Sequence, residues 1–161
     1  MTLAEETAAD WWEVEALYDL CFAPGRTALS SYRLREGVEP IKALCLTARD
    51  PAGILAGAVR NWPVRVGHAD VVLLGPIAVH PTRQGEGVAQ SLMLRCLELA
   101  RNAGWARIML VGDEPYYSRF GFVRLDDVAM PPPTNPDRVL GHALIDKAWD
   151  DVAGEVVSVR N

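Results

Sequence analysis

The stretch between residues 71 and 111 constrains the fold more than any other part of the sequence. An apolar run, Val71–Val79, is followed by the loop His80–Glu86 and then by a strongly periodic helix. Gly104 ends this helix, and a helical crossover of this kind places the next strand, Ala106–Val111, parallel to the first. The helix is predicted from a polar stripe at Ser91, Arg95, Glu98 and Asn102, opposite an apolar side at Val88, Leu92, Cys96, Leu99 and Ala103.

The strands before the crossover are predicted to be antiparallel. Ala43–Ala48 and Ile54–Asn61 are strand-like runs, and the turn-forming sequence Asp50–Gly53 between them predicts a hairpin. A second break, at Val66–His68, leads into Val71–Val79. Three antiparallel strands in series are therefore expected.

Two helices are predicted near the N-terminus. The first runs from its N-cap, Asp10, to Phe22, and Pro24–Gly25 stops it. The second runs from about Thr27 to Glu36 and ends at Gly37.

The C-terminal third adds further strands. Pro131–Pro136 is proline-rich and cannot pair regularly, whereas Val139–Ile145 and Glu155–Val159 have a strand-like composition. The whole pattern indicates an α/β fold with a mixed, mostly antiparallel twisted sheet and helices on both faces. With 161 residues, and no repeat or linker that would divide them, the chain is expected to form a single domain, 1–161.

The composition argues against several classes of protein. A net charge of −5 without a basic run disfavours nucleic acid and acidic lipid as partners, and favours a cationic or neutral substrate. Val71–Val79 is too short to span a membrane, and the acidic start does not resemble a secretory signal, so a cytoplasmic location is expected. The histidines and cysteines lack metal-ligand spacing, so no metal site is predicted. Buried thiols are expected at Cys21, Cys45 and Cys96.

Two glycines, Gly85 and Gly87, stand where the loop becomes the first turn of the periodic helix. Unpaired amides at a helix start favour an anion such as pyrophosphate, and glycine lets the anion approach closely. The loop lacks the Gly-Lys-Ser/Thr ending of a P-loop, and Gln90 takes the last glycine position of the dinucleotide fingerprint. These residues alone leave two interpretations open, another anionic cofactor or ordinary turn chemistry.

Three segments around this loop match one known family. Gln84, Gly87 and Ala89 fit the motif Gln/Arg-x-x-Gly-x-Gly/Ala in register. Ile77–Pro81 fits a preceding strand and its exit, and Tyr117–Phe122 fits a Tyr-x-x-x-Gly-Phe segment. Together these segments resemble the Gcn5-related N-acetyltransferases, the GNAT family.

The resemblance implies that acetyl-coenzyme A is the co-substrate and lies in a cleft where the fourth and fifth strands splay apart. The edge of the fourth strand would pair with the pantetheine arm, and the loop amides would hold the pyrophosphate. An amine would attack the thioester directly in a ternary complex, and a thiolate would leave. The residues thereby assigned to the cofactor are Ile77, Ala78, Val79, Gln84, Gly85, Glu86, Gly87, Val88, Ala89 and Tyr117.

Tyr117 is the catalytic residue that the resemblance implies. The chain is most similar to a small bacterial branch whose fifth strand ends in Val-Gly-Asp-x-Pro-Tyr-Tyr, a run that ends at this residue. Its phenol would protonate or hydrogen-bond the departing sulfur, while simple aromatic packing is the alternative role. The predicted fourth strand holds no acid, so the base for the amine stays open between Asp70, His68, Asp113 and a water chain.

The sequence leaves the acceptor and two other functions open. A noncatalytic acyl-coenzyme A binding or sensing module and a peptide-binding domain without cofactor are the competing hypotheses. Acceptor residues in this fold come from variable segments, at Thr27–Glu39 and Met130–Asp137 in this chain. Small molecules, peptide N-termini and protein lysines stay open as acceptors, and a homodimer stays open as the assembly. Glu86 brings a negative charge into the loop, offset nearby only by Arg83, and is expected to weaken cofactor binding.

Overall fold

The computed structural model describes residues 1–22, 26 and 30–160. Its helices are α1 (Trp11–Phe22), α2 (Ser30–Arg33), α3 (Val88–Asn102) and α4 (Glu114–Tyr117). Its strands are β1 (Thr2–Glu5), β2 (Leu46–Arg49), β3 (Leu55–Val66), β4 (Ala69–Val79), β5 (Arg107–Val111), β6 (Val123–Arg124), β7 (Val128–Ala129), β8 (Val139–Ala143) and β9 (Gly154–Ser158).

The strands form one mixed sheet in the order β1-β2-β3-β4-β5-β8-β6, and β9 pairs with both β3 and β7. The pairs β4–β5 and β7–β9 are parallel, and the others are antiparallel. The Asp50 carboxylate accepts hydrogen bonds from the amides of Ala52 and Ile54, which closes the predicted hairpin between β2 and β3. The predicted fold class, the antiparallel series β2-β3-β4 and the parallel crossover are confirmed.

Helices α1 and α3 cover opposite faces of this sheet. Successive residues of a strand point to opposite faces, and Ala78 of β4 packs with α1 while Val79 packs with α3. Gly57 of β3 lets α3 approach closely, since a β-carbon there would lie 2.8 Å from Cγ1 of Val88. The buried side of α3 consists of Val88, Leu92, Met93, Cys96, Leu97 and Ala100.

The predicted apolar side of α3 is wrong at its C-terminal end. Ala103 follows the last helical residue, Asn102, and is exposed, and Leu99 is only half-buried. Met93 and Leu97, which lie outside the predicted apolar side, widen the buried one. A globular core accepts a broader apolar face than the strict spacing assumes.

Asp10 is not the N-cap of α1, contrary to the prediction. It ends a 3-10 turn, Ala8–Asp10, and its carboxylate accepts hydrogen bonds from the amide and hydroxyl of Thr7 at 2.8 and 3.0 Å. Thr7 is the N-cap of that turn, which continues directly into α1. In the predicted second helix, Ser30–Arg33 is helical and residues 34–37 form a turn. Residues 27–29 and the predicted stop at residues 24 and 25 lie outside the described residues.

The predicted strands are in the right places but have different bounds. Residues 42–44 form a 3-10 turn, so β2 begins after the start of the predicted strand Ala43–Ala48. β3 continues past Asn61 and Pro63, because its C-terminal part pairs with both β4 and β9. Proline favours an end to the strand, since it lacks an amide donor. The edge strand β1 is not predicted from sequence, because its short, acidic and mostly exposed segment shows no strand pattern.

Candidate active site

Strands β4 and β5 pair over a short length and then separate. Their parallel register covers Val72–Leu73 against Ile108–Met109. Immediately beyond, β4 carries a bulge in which Gly75–Pro76 stands opposite the single residue Arg60 of β3. The glycine of the bulge has φ +135°, which other residues rarely adopt.

Two cavities lie beside the separated strands. The larger, of about 600 Å³, is bordered by residues 73–77 of β4 and residues 110–113 at the end of β5. The smaller, of about 180 Å³, lies toward α3 and is bordered by Val79 and Gln84. Ile77, Tyr116 and Tyr117 line both cavities. The predicted cleft between splayed strands is therefore present.

The end of β4 presents backbone groups to this cleft. The amide of His80 donates to the carbonyl of Ala56 at 2.8 Å, so in the antiparallel ladder Ala78 also bonds toward β3. By the same alternation, the amides and carbonyls of Ile77 and Val79 point away from β3. Of the three β4 residues predicted to bind the pantetheine arm, Ile77 thus offers its amide and carbonyl to the cleft and Val79 its amide, because the Val79 carbonyl already accepts from Gln84 Nε2 and Cys21 Sγ. Ala78 instead lines the smaller cavity.

Gln84 anchors the predicted phosphate loop to the strand, since its Nε2 donates to the carbonyl of Val79 at 3.0 Å. Gly85 and Gly87 have φ of +81° and +79°, and a β-carbon on either would meet no atom within 4 Å. Among the described residues, no acceptor binds the amides of residues 85–90. The loop therefore presents a row of free, unobstructed amides at the start of α3.

Glu86 of this loop is paired with Arg83. Its carboxylate lies 3.6 Å from Nε of Arg83, and Nη2 of the same arginine lies 3.5 Å from the Asp50 carboxylate. The predicted charge compensation is therefore present. Because Arg83 is shared between the carboxylates of Asp50 and Glu86, it attracts a phosphate less strongly than an unpaired arginine would.

Tyr117 is half-buried at the C-terminal end of α4, and its amide donates to the Asp113 carbonyl at 3.0 Å. Its ring makes edge contacts with the rings of Tyr116 and Phe122, with centroids 4.9 and 6.2 Å apart, and it lies against Gly112. Burial raises the pKa of the Tyr117 hydroxyl, and Tyr116 acts in the same direction. Within the described part of the chain this hydroxyl has no hydrogen-bond partner, so its proton is available to a ligand.

The groups predicted as general bases do not all reach the cleft. Asp113, the N-cap residue of α4, lines the larger cavity. Asp70 lies at the opposite end of β4 and pairs with Arg65 at 3.3 Å. His68 lines a separate cavity together with Arg107. Asp70 and His68 are therefore wrong as candidate bases of this site.

The two predicted acceptor segments lie at different cavities. The first supplies Ser31, Tyr32 and Arg35 to the larger cavity. Met130–Asp137 instead borders another cavity, beside β7 and β9. Sequence patterning misses the arginines of the larger cavity, because no motif marks them; two of the three are buried, which is rare for arginine, and Arg138 is exposed. They are Arg26, Arg35 and Arg138.

The described residues contain no group of three or more His, Cys, Asp or Glu side chains placed to hold a metal ion. Across residues 1–22, 26 and 30–160, no helix has the length and apolar character needed to cross a membrane. Cys45 and Cys96 are buried free thiols, and Cys21 is partly buried.

Comparison with known proteins identifies the family to which this chain belongs. The model of the acetyltransferase (GNAT) family matches residues 11–122. The uncharacterized N-acetyltransferase YhbS of Escherichia coli K12 is 31% identical over 160 residues, which cover 97% of this chain and 95% of that protein.

Two solved structures of GNAT family proteins are also similar to this chain. The crystal structure of Escherichia coli YhbS in complex with CoA has a TM-score of 0.84 and 30% identity, and the match covers 98% of this chain and 88% of that chain. A GNAT family acetyltransferase from Brucella melitensis in complex with acetyl-CoA has a TM-score of 0.64 and 29% identity, covering 90% of this chain and 97% of that one. The similarity thus extends over nearly the whole chain.

Proposed function

Because this chain belongs to the GNAT acetyltransferase family, we propose that it transfers the acetyl group of acetyl-coenzyme A to an amine. The observation that carries the proposal is the position of Tyr117. Its side chain lines both a cavity beside the phosphate loop and a larger cavity that can take an acceptor. The relatives from Escherichia coli and Brucella melitensis were solved with CoA and acetyl-CoA, which supports the same cofactor for this chain.

The cofactor would lie along the end of β4 and the start of α3. The pyrophosphate would accept hydrogen bonds from the free loop amides, where the helix dipole also favours an anion. The pantetheine amides would pair with the cleft-facing groups of Ile77 and Val79, as an added strand does. Gln84 holds the loop in place. The residues proposed to bind the cofactor are Ile77, Ala78, Val79, Gln84, Gly85, Glu86, Gly87, Val88, Ala89 and Tyr117.

The reaction is a direct acyl transfer. The amine nitrogen forms a bond with the thioester carbonyl carbon, the carbon–sulfur bond breaks, and the amine loses a proton to solvent. Tyr117 donates its phenolic proton to the departing thiolate and later regains a proton from solvent. The phenol is protonated at neutral pH, as a proton donor must be, since its ordinary pKa is about 10 and burial raises that pKa further.

An acceptor screen tests the proposal. The protein is incubated with acetyl-coenzyme A and a panel of amines, and free thiol and acetylated product are measured by colorimetry and mass spectrometry, with an amine-free reaction correcting for hydrolysis. Amine-dependent thiol release with an acetylated product is expected. Coenzyme A binding without turnover would instead support the noncatalytic module, and absence of binding would support the peptide-binding domain. The single domain 1–161, the cytoplasmic location and a homodimer stay predictions.

A further inference from the structure

Arg35 is a buried cation beside the larger cavity. Only 8% of its surface is exposed, and its buried Nε has no hydrogen-bond partner. None of the described carboxylates lies within ion-pair distance of it. Burial lowers the pKa of the guanidinium, as expected for a charge removed from water. Such a charge is unfavourable unless something supplies the opposite one.

The carboxylates of Glu6 and Glu15 are already paired with other arginines. Glu15 bridges Arg26 and Arg60, at 3.0 and 2.5 Å. Glu6 pairs with Arg60 at 2.9 Å. Arg26 and Arg60 therefore hold these two carboxylates, whereas Arg35 has no carboxylate within ion-pair distance and lines the cavity as a cation.

Aromatic packing fixes the Arg35 side chain. The guanidinium carbon lies 4.0 Å from the ring centroid of Tyr32 and 5.3 Å from that of Trp62. Stacking of this kind orients the planar guanidinium and reduces the entropy lost when it binds a ligand. Its Nη2 also lies 4.0 Å from where a β-carbon of Gly75 would stand, beside the bulge of β4.

We propose that Arg35 binds a carboxylate of the acceptor, and hence that the acceptor is a small amine that also carries a carboxylate, as amino acids do. This inference rests on the proposed acetyl transfer. The buried, unpaired guanidinium of Arg35 matches a carboxylate in both charge and fork geometry. The cavity volume of about 600 Å³ is in the range of small-molecule sites. Asp113 lines the same cavity and offers the opposite charge to the amino group.

Matched substrates test this assignment on the wild-type protein. Each amino acid is compared with its C-terminal amide, which keeps the amine and side chain but removes the carboxylate, and O-phosphoethanolamine is added as a phosphate-bearing amine. We expect kcat/KM for the best amino acid to exceed that of its amide by about 30-fold or more, as for loss of a buried charge partner. Equal values for acid and amide, or a preference for the phosphate, would overturn the inference while leaving acetyl transfer intact.

The variant Arg35→Met separates ligand binding from a structural role. Because it removes an uncompensated buried charge and keeps an apolar stem, we expect its unfolding midpoint in urea to be unchanged or higher. The preference for acid over amide should fall to near unity. The control is Arg95→Met, which removes an exposed arginine on α3, paired with Glu98, and should retain the preference. An Arg35→Met protein that keeps the preference would contradict the assignment.

Calorimetry separates failure of this inference from failure of the proposed function. N-acetyl amino acids and their amides are titrated into wild-type protein loaded with coenzyme A, which needs no turnover. Tighter binding of the acids, without thiol release from any amine, would retain the carboxylate site and reject acetyl transfer. Equal binding of acids and amides would reject the carboxylate site, whether or not the protein turns over.

Discussion

A β-carbon on Gly112 would stand 2.4 Å from Cε2 of Tyr117 and 2.9 Å from its Cδ2. Gly112 is buried at the end of β5, so the ring of Tyr117 rests directly on its backbone. Any side chain at this position must displace the ring. The glycine therefore sets where the Tyr117 hydroxyl stands between the two cavities.

Gly112→Ala should lower kcat by about 10²-fold, because displacement of a catalytic group by about 1 Å has an effect of this size. The added methyl group should also lower the free energy of unfolding by about 1–3 kcal/mol, as overpacking does. Steady-state kinetics and urea unfolding measure the two effects.

The control for this substitution is Gly141→Ala on β8. Its β-carbon would lie 2.7 Å from the end of the Leu125 side chain, which is comparable crowding without contact with Tyr117. The control should lose stability and keep its kcat. Equal losses of kcat in both variants would show that Gly112 does not act by positioning the Tyr117 ring.

Gly87→Asp should abolish the thermal stabilisation that coenzyme A gives, because a carboxylate in the amide-lined loop repels phosphate and blocks its approach. Gly104→Asp is the matched control. Gly104 follows the other end of α3 and also has positive φ, and a β-carbon there would likewise meet no atom within 4 Å. Scanning calorimetry with and without coenzyme A should show a full shift for the control alone. A full shift in both variants would remove the loop from the cofactor site.

The loop and helix on one side of the cleft could be predicted because their determinants are local in sequence. Gly85, Gly87 and the amphipathic helix after them lie within one short segment, and helix periodicity fixes where the free amides occur. The parallel strand β5 then follows from the crossover.

The larger cavity could not be predicted in the same way. Arg35 packs against Tyr32 and Trp62, which are distant in sequence from each other, so its burial depends on tertiary contacts. The Gly75–Pro76 pair is a local sign of a bulge, but the residue that stands opposite it depends on how β4 pairs with β3. The prediction for Asp10 is wrong for the opposite reason: it is a good capping residue by type, but Thr7 takes that position first.

Alkaline pH should destabilise the protein through its buried thiols. Burial raises the pKa of Cys45 to about 11 and of Cys96 to about 12, from 9.0. Between pH 9 and these folded-state values the thiols ionise in the unfolded protein but not in the folded one. Ionisation therefore favours the unfolded state, and the free energy of unfolding is highest below pH 9 and falls as the pH rises through this range. From pH 8 to pH 10 the free energy of unfolding should fall by about 1 kcal/mol for each thiol.

Urea unfolding of wild type and Cys96→Ala at both pH values checks this effect. The variant should be less stable at either pH, because it leaves a cavity, but its loss between pH 8 and pH 10 should be smaller by about 1 kcal/mol. Equal losses in the two proteins would show that the Cys96 thiol does not carry the pH dependence.

The most direct test of the proposed mechanism is the turnover of Tyr117→Phe with its best acceptor, measured where chemistry limits the rate. Phenylalanine keeps the ring packed on Gly112 and removes only the hydroxyl. If that hydroxyl protonates the departing thiolate, kcat falls by about 10²-fold or more, coenzyme A affinity barely changes, and Tyr116→Phe retains most of its turnover. A folded Tyr117→Phe protein with near-normal kcat would contradict the account and leave Tyr117 with a packing role alone.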